Sequence, residues 1–598
     1  MRASIKITSR HLLLLTFLIS SHAHAAALPS FQKVRAQHHS SYASLLDRNG
    51  ETLQTLQLDH STQRLPWVTL QDLSPAIQDA LLVSEDRRFF QHEGVDWRAI
   101  AGAAWENLVH NTHRGASTLT MQLAGLLDPA LTRNAGGRTY KQKWEQIRAA
   151  RQLERHWSKA QILEAYLNLV DFRSNLYGIS AATSALFNKT PSTLNATEAS
   201  ILAALLRGPN AKPGIVAERA CGVAARLRPP RPNCADITSL SLRQLHAHPK
   251  VTFAVAIAPE AATQLLHAPG QRILSSLDAQ LQNTVLSDLQ KDPLATSAAA
   301  VVLDNNTAEI LAYVNIGNTV NNVITAHPVG SLLQPFVYEL AIEQKLLTAA
   351  TLLDNTALPI AADAAYPDYM VGAPVHAWVS VRTALHAGLK APALRVLTML
   401  PSDDYSNRLH LLDLHPTDES NTLLTIANAY QAIADKGLYR PASFHVAGLN
   451  KSQRVMPAKV AAIISNIMTG QPLDSKNPEI NIDSNDYYAL SSNAEYAVGF
   501  TANYTIALWM DDTAPTDIID VWQRITREII RLHPAHAPQI PANLAIRSVH
   551  FIPPVEAPRL ELFLPGTEQT VFSPPSTQLS EPYSQPDGSV LSLKFQDM

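Results

Sequence analysis

The chain is poor in cysteine, with two in 598 residues. Two thiols with no neighbouring His pair do not make the four ligands of a structural zinc site. Charge is also sparse, at 17% Asp, Glu, Lys and Arg with a net of −3, and no dense Lys/Arg run occurs. Phosphate neutralisation needs clustered cations, so nucleic acid is excluded as a partner. No internal repeat or long low-complexity tract is present, which excludes solenoids and disordered linkers as the main architecture. Beyond the N-terminus no apolar stretch reaches the roughly 20 residues that a spanning helix needs.

What is present is a globular composition, 46% hydrophobic, in a chain long enough for two to four domains. Arg2, Lys6 and Arg10 precede the apolar run Leu12–Ile19, and Ala23-His24-Ala25 follows. That order, basic then apolar then small, is the anatomy of an export signal over residues 1–27. An uncleaved anchor running to Leu28 is the other reading. In both the body is exported. Cys221 and Cys234 stand close in sequence around a Pro/Arg-rich loop. In an exported protein such a pair forms a disulfide or stays as two thiols, and spacing alone leaves both open.

Residues 30–70 read as β-rich and turn-like, with Asp47-Arg48-Asn49-Gly50 as a hairpin signal. From Ser74 to about Pro209 the pattern is helical. Ser74-Pro75 is an N-cap with Pro at the first helical position, and Ser158 to Gln161 is a capping box. Prolines at 209–234 break the pattern and predict a linker. Ala298–Asp304 and Glu309–Val314 read as strands, and beyond about 535 the helical period is lost.

Two stretches carry chemistry. Glu85-Asp86 closes the apolar run Ile77–Val83. Desolvation at such a place raises a carboxyl pKa, which suits proton transfer. A solvated acid pair at a helix end is the plainer reading. Downstream, Arg114-Gly115-Ala116-Ser117-Thr118 leads into an apolar helix, with Ser117 as its expected cap. Thr118, Gln122 and Gly125 fall at i, i+4 and i+7, a shared face opposite Leu119, Leu123 and Leu126.

The series Glu85-Asp86-x-x-Phe89-x-x-His92-x-Gly94-x-Asp96, then Gly115-x-Ser117-Thr118-x-Thr120-x-Gln122, then Lys159-x-x-Ile162-Leu163-Glu164-x-Tyr166-Leu167-Asn168, then Gly178-Ile179-x-Ala181-Ala182, resembles the family 51 peptidoglycan glycosyltransferases. These form the first half of class A penicillin-binding proteins. The flanks Leu65-Pro66-Trp67-Val68 and Phe563-Leu564-Pro565-Gly566 are most similar to its 1C branch. The resemblance implies a multidomain α+β protein. A mostly α, lysozyme-like glycosyltransferase domain would span 40–215 and a linker 216–271. An α/β transpeptidase-like domain would span 272–535, and a truncated β extension 536–598. It implies Glu85 as the base that activates an acceptor hydroxyl. It implies Asp86, Phe89, His92, Arg114, Ser117, Thr118, Gln122, Lys143 and Gln146 as substrate-binding residues. The implied partners are lipid II, the growing glycan strand, the inner membrane at its periplasmic side, and other cell-wall synthesis proteins. A divalent cation such as Mg is the implied cofactor, with no protein metal site assigned.

This chain departs from the family in its cations. Gly125 and Gln142 stand where the family usually has basic residues, and Gln146 replaces a glutamate. Arg138 and Lys141 are nearby substitutes. The second site departs further. Ser331-Leu332-Leu333-Gln334-Pro335-Phe336 has glutamine where an acyl-serine enzyme has its lysine. An amide has no basic lone pair for the serine proton. Gly388-Leu389-Lys390 stands where Ser-x-Asn is expected, and no Lys-Thr-Gly precedes Tyr496. The transpeptidase site is therefore expected to be inactive, leaving a glycosyltransferase as the first reading. A non-catalytic lipid II-binding scaffold and a bifunctional enzyme are the alternatives.

Overall fold

In the computed structural model of this protein, the described residues are 28–110, 116–131, 140–245, 248–317, 320–356, 378–416, 421–446, 451–470, 488–511, 515–534 and 540–575. The chain divides into two compact units. The first holds residues 1–43, 57–254 and 267–271, and the second 44–56, 255–266 and 272–598.

The first unit is a helical body. Helix α1 (Phe31–Gln37) begins where Ser30 accepts from Lys33 N. The sequence reading of this stretch as β-rich missed it, because about two turns of mixed residues show no clear period. Helix α2 (Pro75–Glu85) starts at the expected Ser74 cap with Pro75 in its first turn. Next come α3 (Trp97–His110), α4 (Leu119–Leu127) and α5 (Tyr140–His156). Helix α6 (Lys159–Leu169) opens with the capping box of Ser158 and Gln161. Helices α7 (Ile179–Phe187) and α8 (Ala196–Leu205) follow, the latter with a second box between Asn195 and Glu198. Every residue of α8 from Glu198 to Leu205 is buried. A helix buried all round is a core helix, and α2, α9 (Pro213–Ala224) and α10 (Cys234–Gln244) pack on it.

The stretch 216–271 is not the linker that its prolines predict. Val216, Ala220, Val223 and Ile237 belong to the same core as Leu81, Tyr166 and Leu202. The prolines act as helix starts and stops rather than as signs of an extended chain: Pro213 sits in the first turn of α9. Cys221 and Cys234 form a disulfide, with Cα atoms 5.2 Å apart, and so close the α9–α10 loop.

The second unit centres on a five-stranded antiparallel sheet. Its spatial order is Ala489–Ser492, Tyr496–Phe500, Tyr504–Met510, Ala298–Asp304 and Ile310–Ile316. Helices Ala279–Lys291 and Pro515–Leu532 bury Leu281, Val285, Ile518, Trp522 and Ile525 with sheet residues such as Val302 and Leu508. The helix Leu423–Ala434 also packs on this sheet. The N-terminal hairpin forms as its turn residues predict: Asp47 Oδ1 accepts from Asn49 N and Glu51 N, and Gly50 takes φ +90°. Residues 545–572 build a small sheet with Ala545–Phe551 at its centre.

That small sheet is tied to the rest of the second unit by a dry ion cluster. Arg382 donates to both oxygens of Glu561 at 2.7 and 2.6 Å, and Arg559 Nε donates to the same carboxylate at 2.6 Å. Glu561 is fully buried. Removing one member of such a cluster strands the remaining charges without water. Glu561→Ala is therefore expected to cost about 3–5 kcal/mol of stability, read as a lower denaturant midpoint for the second unit. A shift of a few tenths would show that the arginines find other partners.

Candidate active site

The site of the first unit is assembled from the ends of α2, α4, α5 and α8. Helix α2 ends at Glu85, and the next residue, Asp86, leaves helical geometry at φ −156°. Asp86 is spent on structure. Its carboxylate accepts from His92 Nε2 at 3.0 Å and from Leu119 N, in the first turn of α4, at 3.1 Å. A carboxylate there satisfies an orphan N–H and complements the helix dipole. His92 has its other ring nitrogen buried without a partner.

Thr118, not Ser117, caps α4. Its hydroxyl accepts from Met121 N and donates to Gly94 O at 2.6 Å. The face expected to join Thr118, Gln122 and Gly125 is therefore not a polar surface. Thr118 and Gly125 are buried, whereas Leu126, placed on the apolar side, is exposed. Capping geometry starts α4 one residue later than the pattern implied, so Thr118 precedes the helix instead of lying on it. Gly94 must be glycine, since at φ +83° a Cβ would come 2.7 Å from Ala150 O.

Glu85 itself is held at both oxygens. Gln122 Nε2 donates to Oε2 at 3.1 Å, and the Ser84 hydroxyl donates to Oε1 at 2.9 Å. The amide orientation of Gln122 is fixed from behind by Tyr166, whose hydroxyl donates to Gln122 Oε1 at 2.9 Å. Burial, and then the charge of Glu85, push the Tyr166 phenol well above its ordinary pKa, so it stays a donor. Arg207, just past the end of α8, reaches Glu85 Oε1 at 3.4 Å and donates to Ser84 O at 2.6 Å. The sequence reading missed Arg207. Nothing local marks it, because its partners lie far back in the chain and only the packing of α8 against α2 brings them together.

On the α5 side, Lys143 Nζ donates to Ser117 Oγ at 2.7 Å and to Gln146 Oε1 at 3.3 Å. Gln146 is fully buried and donates to Met121 O at 2.6 Å. Phe89 is fully buried too, with Lys159 Nζ 4.3 Å from its ring centroid. Phe89, Asp86, Thr118 and Gln146 are thus buried, and His92 is held against Asp86. Glu85, Gln122, Ser117 and Lys143 keep partial exposure. Arg114 and Arg138 lie outside the described residues, and Lys141 is exposed on α5.

Among the described residues no three His, Cys, Asp or Glu side chains converge, and the Asp86 carboxylate is already engaged by His92 and Leu119.

The second site keeps its skeleton. Ser331 Oγ donates to Ser492 O at 3.5 Å, and Gln334 Nε2 donates to Gly388 O at 3.4 Å. The three stretches expected to meet do meet. Gln334 is 7% exposed, and its Oε1 has no partner. Lys390 is exposed at the start of the helix Lys390–Met399.

Residues 49–228 match the transglycosylase family. The chain is 29% identical over 507 residues to penicillin-binding protein 1C of Escherichia coli, covering 76% of this chain and 62% of that protein's length. It is 33% identical over 186 residues to the biosynthetic peptidoglycan transglycosylase of Bdellovibrio bacteriovorus, covering 30% of this chain and 72% of that protein. The crystal structure of penicillin-binding protein 1A from Haemophilus influenzae shares the fold, with a TM-score of 0.52 at 14% identity over 89% of this chain and 99% of that one.

The burial of Gly125 yields a prediction. A lysine there has to force a long charged side chain into a packed helix face. Gly125→Lys is expected to lower the denaturant midpoint by the equivalent of about 1–3 kcal/mol without speeding any reaction. A normally stable variant with raised turnover would show that the position opens to the cleft.

Proposed function

We propose that this chain, which belongs to the transglycosylase family, is a class A penicillin-binding protein of the 1C type whose first unit polymerises lipid II into glycan strands. The observation that carries this reading is the Glu85 carboxylate, held in one orientation by Gln122 and Ser84 at the end of α2. In this reading Glu85 takes the proton of the acceptor sugar hydroxyl as that oxygen attacks the donor's anomeric carbon. The new glycosidic bond forms as the bond to the lipid diphosphate breaks. Charge then grows on the leaving diphosphate, and cations lining the cleft stabilise it. Lys143 supplies one from α5. No step here depends on a divalent cation.

The basic, apolar, small-residue N-terminus supports action at the periplasmic side of the inner membrane. Among the described residues no helix is long and apolar enough to cross a membrane. We further propose that the second unit has lost transpeptidation. The side chain one helical turn after Ser331 is the buried neutral amide Gln334, which cannot accept the serine proton. Such a unit keeps a folded surface for other cell-wall synthesis proteins.

Two measurements test these readings. Glu85→Gln keeps the shape but removes the base, so polymerisation of labelled lipid II by purified protein should fall about 10²-fold or more. Unchanged polymer in that variant removes Glu85 from its role. Wild-type protein that binds lipid II but makes no polymer is a scaffold instead. A fluorescent penicillin should leave no covalent band on the native protein, whereas a band abolished by Ser331→Ala would show a working acyl-serine site.

A further inference from the structure

The two oxygens of Glu85 are not equivalent. Oε1 accepts from the Ser84 hydroxyl at 2.9 Å and from Arg207 Nε at 3.4 Å, so both of its lone pairs are engaged. Among the described residues Oε2 accepts only from Gln122 Nε2, at 3.1 Å. One lone pair of Oε2 is therefore left to receive a proton. The side chain is 11% exposed, so this oxygen is close to dry without being sealed. Gln122 is the donor beside it.

Gln122 serves as a donor there only while its amide stays turned that way. An amide carries N–H groups at one end and an acceptor oxygen at the other, and exchanging them changes little in shape. Gln122 Oε1 is tied back by the Tyr166 hydroxyl at 2.9 Å. Tyr166 lies on α6 and is 1% exposed, and among the described residues its hydroxyl makes no second hydrogen bond. Burial, and then the charge of Glu85, keep the phenol protonated. The bonds from Tyr166 through Gln122 to Glu85 thus run in one sense, with each donor pointing toward the carboxylate. Such a chain polarises its own links and favours the ionised acid. Without the phenol, Gln122 Oε1 loses its partner, and the amide is free to turn that oxygen toward Oε2. Two acceptors in contact suit only the protonated acid, which is no longer a base.

We propose that Tyr166 is a positioning residue for the proton transfer, acting through Gln122 to keep Glu85 ionised, with Oε2 as the oxygen that takes the proton of the acceptor hydroxyl. One proton moves, from that hydroxyl to Oε2, while the phenol and the amide keep theirs. The reaction itself rests on the glycosyltransferase reading of the first unit. The hydrogen-bond chain does not, and its effect on Glu85 is measurable without turnover.

The test uses the full-length protein in detergent with Tyr166→Phe, which removes one hydroxyl and keeps the ring in the core, with Gln122→Met, and with the double variant. In the pH dependence of kcat/KM for lipid II polymerisation, Tyr166→Phe should move the acid limb up by about one pH unit. Rates on that limb then fall about tenfold and return toward wild type at higher pH. An equal loss at every pH would show a merely structural role and overturn the proposal. Gln122→Met should move the limb in the same direction, and Tyr166→Phe added to it should do nothing more, since the phenol then has no amide to act on. Additive effects overturn the route through Gln122. Carbon-13 NMR of protein labelled in glutamate reads the carboxyl directly, with the Glu85 signal identified by its loss in Glu85→Gln. Its titration midpoint should rise in Tyr166→Phe by about the same one pH unit. If Tyr166→Phe fails to fold, Gln122→Met carries the test, and an unmoved midpoint in that variant overturns the proposal. If the midpoint rises although wild type polymerises nothing, the hydrogen-bond chain stands and the enzyme reading falls.

Discussion

The first unit's site depends on where one carboxylate is aimed. Asp86 ends α2 and, through Leu119 N, also begins α4. It holds His92 at the same time, and His92 O receives Lys159 Nζ from the start of α6. Three helices are thereby referenced to a single side chain. Glu85 is its neighbour in the chain, so its position follows from that of Asp86 rather than from bonds of its own alone. Gln122, one turn into α4, arrives opposite Glu85 because α4 starts where Asp86 fixes it. The Tyr166 hydroxyl from α6 then leaves Gln122 a single amide orientation.

Much of this could be read from residues in order. The caps at Ser74 and Ser158 set the starts of α2 and α6, and both are local events within four residues. The hairpin at Asp47 to Gly50 is equally local. What escaped the sequence was long-range. Arg207 meets Glu85 only because α8 packs against α2. Thr118 displaced Ser117 as the cap because its hydroxyl could also reach Gly94 O, a bond no pattern encodes. The helices α9 and α10 were hidden by prolines, whose role as helix starts looks the same in sequence as their role in linkers. The motif residues Phe89, Thr118 and Gln146 are fixed by packing demands, which a string of letters does not distinguish from contact with substrate.

The second unit shows the converse. Glutamine stands at 334 where the acyl-serine pattern has lysine, yet Ser331 meets Ser492 and Gln334 meets Gly388. Backbone and burial hold that arrangement. Tyr430 donates to Leu332 O at 2.9 Å, and Asn493 Nδ2 donates to Val329 O at 3.2 Å. None of these bonds needs a lysine at 334. The surrounding skeleton therefore stands with glutamine at 334, one of whose polar atoms is left unmatched.

The path of the chain between the two units bears on how such a protein is inherited. The strand Tyr42–Leu46 has most of its residues in the second unit, and it pairs in parallel with Arg272–Leu274. Its partner is not synthesised until nearly all of the first unit has been made. Ala43, Leu45 and Leu46 are buried by this arrangement. A gene fragment ending after the transglycosylase match would expose that strand as an open, apolar edge, a template for association with other chains. Recombination that separates the two units therefore leaves this strand without its partner Arg272–Leu274, so the division between the units is not a clean cut in the chain.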